Sequence, residues 1–344
     1  MKVIIARNIN DAWARAKVLL DENYVIRPSR VGEVMEAPFP VTTVYHSPTE
    51  RVLFDEQRNA NPFFHLMESL WMLAGRNDLA WIEKFNSKIS DFVGKAPEIH
   101  GAYGYRWRKA FDLDGGAEDD YADQLVKIIR MLKKNHDERR AVLTMWNPLW
   151  DLERPDVADV PCNLIVTFKI RGGKLDMIVF CRSNDVVMGC YGANVVHFSY
   201  LQEYMAAMIG VPIGTYYQVS DSWHAYTARW KEFGGFDTTT STYDLYESSE
   251  VVPYPLVKNP ESFDDDLAMW MAHGEYLHES MFENDFFPNV AEPLWRAWEL
   301  YKENDLDGAL CVISSCAALD WRISCQAWLL RVRAKREKRT KAVV

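Results

Sequence analysis

DVPCNLIVTFKIRGGKLDMIVFCRSND, residues 159–185, is the stretch whose reading decides the fold. Its two apolar runs, 162–170 and 174–181, read as strands, and Gly172-Gly173 between them suits a tight hairpin turn. Cys162 follows a proline just ahead of the first strand, and the second runs into Arg182-Ser183-Asn184-Asp185. A thiol and a guanidinium at the ends of neighbouring strands converge on one pocket. That pairing suits attack by a thiolate on an electron-poor ring carrying a phosphate, with Arg182 supplying a forked donor and Ser183 a hydroxyl. A lone cysteine is more often a small buried apolar residue. The functional reading needs cations nearby to favour the thiolate.

Working outward, residues 10–22 show helical spacing behind Asn10 or Asp11 as a cap. FPVTTVYHSP (39–48) reads as a strand, and FFHLMESLWMLAG (63–75) as an apolar helix closed by Gly75, with Glu68 as its one acid. Residues 119–135 form an amphipathic helix, and RRAVLTMWNP (139–148) a strand that opens on Arg139-Arg140. A long helix follows at 194–209, ended by Gly210, and 215–226 reads as strand then turn. Residues 236–262, rich in Thr, Ser, Tyr and Pro, read as a linker, and 263–344 as a helical C-terminal region. The fold class is α+β: a catalytic body over 1–235 with a helical extension.

The 344 residues carry a formal net charge of -10, which argues against broad nucleic-acid binding but not against a local pocket for one phosphate. The six cysteines form no CxxC pair and no zinc spacing, so thiols are reduced and no metal is expected. No apolar run approaches the roughly 18–20 residues that span a bilayer. MKVIIARNIN is too soon polar for a signal peptide. An intracellular, cytoplasmic protein is expected, in a host cytoplasm if a phage encodes it. No Cys-His protease spacing, P-loop or GxGxxG is present, so hydrolysis and triphosphate or dinucleotide binding are unsupported.

PCN (161–163), RSND (182–185) and Asn194 together resemble the thymidylate synthase and pyrimidine-nucleotide hydroxymethylase family. Further matches run in order along roughly residues 20–230. Arg30 in SRVGEV resembles the family's mobile phosphate-binding arginine, and FPVTT a family strand. HLMESLWMLAG resembles the helix of the catalytic glutamate, here Glu68. HGAYGYRWR (100–108) resembles the G-x-Y-G-x-x-W-R signature, which places a catalytic tyrosine at Tyr103. DERRAVLTMWNP resembles the arginine-pair strand that reaches into the partner subunit, and SDSWHAY the segment that holds the sugar 3′-hydroxyl, here through His224 and Tyr226.

The resemblance implies a thymidylate synthase-like fold, with a large mixed sheet and packed helices. It implies a homodimer with shared sites, a pyrimidine nucleoside monophosphate as substrate and 5,10-methylenetetrahydrofolate as co-substrate. Cys162 then adds to pyrimidine C6, which makes C5 a nucleophile toward the one-carbon unit. Arg30, Arg182, Ser183 and a partner's Arg139 and Arg140 hold the 5′-phosphate, an entropic aid to that attack. Glu68 moves protons through water, and Tyr103 assists loss of the C5 proton. Asp185 binds the pterin and Asn194 reads the base.

Four departures from the synthase pattern stand out. Asn163 follows the nucleophile where synthases usually have His. Only Phe92 lies near the site of a shielding tryptophan pair, with Ile89 or Ser90 in a tryptophan's place. GCYGANVV is one residue longer than usual, and the C-terminus is a basic helix rather than a short closing tail. Without shield and tail, water reaches the exocyclic carbon and a hydroxymethyl group results. The reading is therefore a dUMP 5-hydroxymethylase, resembling enzymes of phages with modified pyrimidines. Thymidylate synthase is the runner-up. Asn194 suits uracil O4 and N3–H; dCMP and CMP remain open, as does deoxyribose against ribose. From another class, an inactive family member that regulates by binding nucleic acid is weighed, with the basic tail as its contact. Three roles are open to the helical region: capping the folate side, extending the dimer, or docking other nucleotide-synthesis enzymes.

Overall fold

The structure is a computed structural model that describes residues 1–29, 32–111, 123–153, 159–235, 244–273 and 281–343, with side chains at 273 and 340–343 left aside. Eight strands form one mixed sheet: β1 (Lys2–Ala6), β2 (Val25–Ser29), β3 (Gly32–Glu36), β4 (Val41–Tyr45), β5 (Val142–Thr144), β6 (Asn163–Arg171), β7 (Lys174–Asp185) and β8 (Ile213–Tyr226). Their order is β1-β4-β8-β7-β6-β5, with β3 also on β8 and β2 on β3. β7 and β8 run parallel at its centre, and β6 and β7 form the antiparallel hairpin expected from the sequence. Gly172 and Gly173 take φ of 55° and 76°, the double positive-φ turn whose twist matches the strands it joins.

Caps set the helix limits. The Asn8 side chain accepts from the N–H groups of Asn10 and Asp11 and starts the helix Ile9–Asn23 ahead of the expected cap. Asn61 caps Pro62–Leu73, where a proline at the first turn costs nothing because that N–H has no intrahelical partner. Gly210, at φ 89°, closes Asn194–Ile209. Asp123 caps a helix that runs Gln124–Lys134; the preceding residues of the expected helix, from 119 to 122, lie outside the described residues.

Two strand expectations change. Only Val142–Thr144 of 139–148 pairs in the sheet. The N–H groups of Arg139 and Arg140 go to the Glu138 carboxylate at 2.9 and 3.0 Å, so the arginines belong to a surface turn. Residues 215–226 do not turn: β8 continues through Tyr226, because Ser222, Trp223 and His224 pair with Ser183, Asn184 and Asp185. Val34 and Glu36 of β3 pair with Tyr226 and His224 from the other side.

The C-terminal region is helical, as Phe263–His273, Glu292–Lys302, Leu306–Ile313 and Leu319–Val343, and the second and fourth of these pack on the helix that carries Glu68. The rings of Phe63, Trp298 and Trp328 form one cluster, and Trp298 Nε1 donates to Lys84 O at 2.8 Å. Residues 244–262 carry no helix or strand, yet Tyr246 and Leu256 are fully buried. Arg51 pairs with Glu203 and stacks on Tyr200 at 3.8 Å, while Glu203 accepts from Leu256 N at 2.7 Å. The Tyr246 hydroxyl donates to Asp320 at 3.0 Å. Body, connecting segment and helices thus bury one continuous core.

Candidate active site

Cys162 sits just before β6 and is half-buried. Strand pairing carries Arg182 to it: Arg182 N donates to Cys162 O at 2.9 Å. The guanidinium then turns back, with Nε donating to Pro161 O and Nη2 to Val160 O, both at 2.9 Å. It lies 5.8 Å from the Trp146 ring. The guanidinium is thus held by the very segment that delivers the thiol. Ser183 follows on β7, half-buried.

Tyr103 is packed beside them, its hydroxyl accepting from the N–H groups of Cys162 and Asn163 at 3.2 and 3.3 Å. Burial pushes its pKa well above the ordinary phenol value, so it stays a neutral phenol with a proton to give. Gly104 makes this possible, since a Cβ there would stand 2.0 Å from Met72 O on the Glu68 helix. On that helix Glu68 Oε2 lies 2.9 Å from His197 Nε2. The distance is that of an ion pair, and neither buried atom has a hydrogen-bond partner among the described residues.

A row of amides floors the site. Asn163 Nδ2 donates to Asn194 Oδ1 at 3.4 Å, Asn194 Nδ2 to Asn184 Oδ1 at 3.0 Å, and Asn184 Nδ2 to Ser220 Oγ at 2.9 Å. Asn163 Oδ1 is buried and has no hydrogen-bond partner among the described residues. GCYGANVV runs through a π-helical stretch, Val186–Ala193, kinked at Tyr191 and Gly192, into the helix that carries Asn194. Gly189 lets the two amides meet, since a Cβ would come within 2.9 Å of Asn184 Oδ1 and 3.0 Å of Asn194 Nδ2.

Asp185, His224 and Glu36 form one cross-strand row over β7, β8 and β3. Asp185 Oδ1 accepts from Val187 N and Met188 N at 2.7 and 3.2 Å. Burial raises the Asp185 pKa against these N–H groups, His224 and Arg58. Arg58 is itself buried, its pKa lowered to about 10 by loss of solvent, and its Nε donates to Val187 O at 2.8 Å. His224 Nδ1 is 3.1 Å from Ser222 Oγ, which donates to Glu36, and the Tyr226 ring stands edge-on to His224 at 5.9 Å.

The fold thus gathers Cys162, Arg182, Ser183, Tyr103, Asn194 and Glu68 around one site, and sets Asp185 beside His224 and Tyr226 along its edge. Arg139 and Arg140 do not join them within one chain: both are exposed, and Arg140 pairs with Glu138 at 2.8 Å. Arg30 lies outside the described residues. Phe92 is 59% exposed, and Ile89 is buried in the core. Sequence reading missed His197 and Asp159. His197 was signalled as a lone histidine one turn after Asn194 on an apolar helix, and Asp159 as a carboxylate three residues before Cys162.

The thymidylate synthase family model matches residues 57–236. A deoxyuridylate hydroxymethyltransferase of Pseudomonas phage M6 is 43% identical over 352 aligned positions, covering 98% of this chain and 97% of that one. A protein of the same name from Bacillus phage SP01 is 38% identical over 213, covering 60% of this chain and 54% of that one. A putative thymidylate synthase of Methanosarcina acetivorans is 28% identical over 230, covering 67% and 91%.

Proposed function

The chain belongs to the thymidylate synthase family, and within it we propose that the chain is a deoxyuridylate hydroxymethyltransferase. The observation that carries the product is the near end-to-end identity with the phage M6 enzyme of that name.

Cys162 adds through sulfur to C6 of dUMP, which turns C5 into a carbon nucleophile. Arg182 and Ser183 hold the 5′-phosphate, joined by Arg30 and by Arg139 and Arg140 from a second copy in a homodimer. Rigid placement of the phosphate puts C6 over the thiol and removes an entropic barrier. Asn194 reads uracil through its amide, aligned by Asn163 and Asn184. His224 and Tyr226 hold the 3′-hydroxyl. Tyr103, a partly buried phenol, serves proton transfer at C5, and Glu68 moves protons through water at the base.

Methylenetetrahydrofolate supplies a one-carbon unit at the oxidation level of formaldehyde. The residues present fit it: a pterin offers N–H donors, and Asp185 uses only Oδ1 among the described residues, leaving Oδ2 to accept.

The test is a product assay with dUMP and methylenetetrahydrofolate, resolved by mass spectrometry. The expected products are 5-hydroxymethyl-dUMP and tetrahydrofolate, with Cys162→Ala inactive. Thymidylate with dihydrofolate would make the chain a synthase.

A further inference from the structure

Hydroxymethylation ends with a step that a methylating enzyme must prevent: water adds to the exocyclic carbon. Water is a weak nucleophile, so a base placed at this site speeds the step by about 10²–10⁴-fold. Glu68 is already set against His197 at 2.9 Å. A second carboxylate stands nearby. Asp159 lies three residues before Cys162, and its Oδ2 accepts from Gly101 N at 2.9 Å. A Cβ at Gly101 would be 2.7 Å from that oxygen, so glycine is what lets the carboxylate lie against the backbone there. Two residues further on, Tyr103 receives the N–H groups of Cys162 and Asn163. Asp159 is thus tied at both ends, by the chain to the nucleophile and by a hydrogen bond to the stretch of backbone that carries the site tyrosine. Its charge acts on Tyr103, and that of Glu68 acts on it.

Resting on the hydroxymethyltransferase reading, we propose that Asp159 is the general base that activates this water. The Asp159 carboxylate takes one proton from water as its oxygen bonds to the exocyclic CH₂ carbon. The C5=CH₂ pair moves through C4 to O4. The enolate then re-forms C4=O and C5=C6, the C6–S bond breaks, and Cys162 leaves as thiolate. The proton on Asp159 passes to solvent. Nothing is oxidised or reduced, which is what separates this ending from methylation. The environment favours a base here. Asp159 is only partly exposed, and burial together with Glu68 raises its pKa against the opposing pull of Gly101 N, His100 and Arg106, making it a stronger base than a solvated carboxylate.

Two exchange reactions that need no folate test this. With 5-hydroxymethyl-dUMP alone in H₂¹⁸O, reversal of the last step exchanges the hydroxyl oxygen. With [5-³H]dUMP alone, Cys162 chemistry releases tritium. In Asp159→Asn the ratio of oxygen exchange to tritium release should fall about a hundredfold, and formate should raise it again in Asp159→Ala. A carboxylate that merely supports the fold lowers both rates together, so an unchanged ratio in both variants overturns the role of Asp159. Wild-type protein that forms thymidylate and dihydrofolate and exchanges no oxygen overturns the hydroxymethyltransferase reading along with it.

Discussion

Glu68 Oε2 and His197 Nε2 stand 2.9 Å apart across two packed helices, Pro62–Leu73 and Asn194–Ile209. His197 follows Asn194 by one helical turn, so Asn194 and the residue that meets Glu68 share a helix face. Glu68 is therefore met by a histidine of the helix that also carries Asn194.

His197→Gln is expected to lower kcat about tenfold to a hundredfold while KM for dUMP moves less than about threefold, because it disturbs proton transfer rather than phosphate grip. Steady-state kinetics check this. A rise in KM at unchanged kcat would place His197 in binding instead.

Asn194→Asp should cost more with dUMP than with dCMP. A carboxylate only accepts, so uracil O4 would face an acceptor, whereas the cytosine 4-amino group donates to it. The expected loss in kcat/KM with dUMP is at least about a hundredfold, since sites reject a substrate that leaves polar groups unpaired. Equal losses with both nucleotides would defeat the assignment of Asn194 to base reading.

Asp320 ties the stability to pH. Burial raises its pKa from 3.8 to about 6 in the folded chain, partly opposed by the Tyr246 hydroxyl and Arg51. Between those values the folded chain holds the proton that the unfolded chain has released. Stability from this group is thus full below pH about 4 and lost as pH rises through about 6, on the order of 3 kcal/mol in all. Asp320→Asn keeps an acceptor for Tyr246 and removes the titration. Melting at several pH values should show a flatter dependence between pH about 4 and 6 in the variant.

The helical region should unfold with the body rather than apart from it. Trp298 touches Phe63, Phe85, Tyr301 and Trp328 and donates to Lys84 O. Trp298→Ala is expected to cost about 3–5 kcal/mol, with one denaturant transition by far-UV dichroism and by activity. Two separate transitions would mean independent units.

Shared sites predict complementation. Arg139 and Arg140 are exposed in one chain, where a second copy's phosphate site can meet them. Cys162→Ala mixed with the Arg139→Ala, Arg140→Ala double variant should regain up to about a quarter of wild-type activity, as random pairing leaves one intact site in half the dimers. Activity no higher than either parent would count against a phosphate site built from two chains.

Local chemistry is what the sequence determined by itself. Gly172-Gly173 specified the hairpin, Gly210 a helix end, and the order of PCN, RSND, Asn194 and SDSWHAY the site's cast, because turns, caps and strand ends depend on neighbours in the chain. Folding alone decided the pairings. Glu68 meets His197, Gly101 holds Asp159, and Asp185, His224 and Glu36 line up across three strands. β8 ran on through a segment that reads as a turn, because β7 and β3 claimed its backbone on both sides. Periodicity tells which face of an element is apolar; it does not say which distant residue packs on that face, and the site's carboxylates take their partners from that packing.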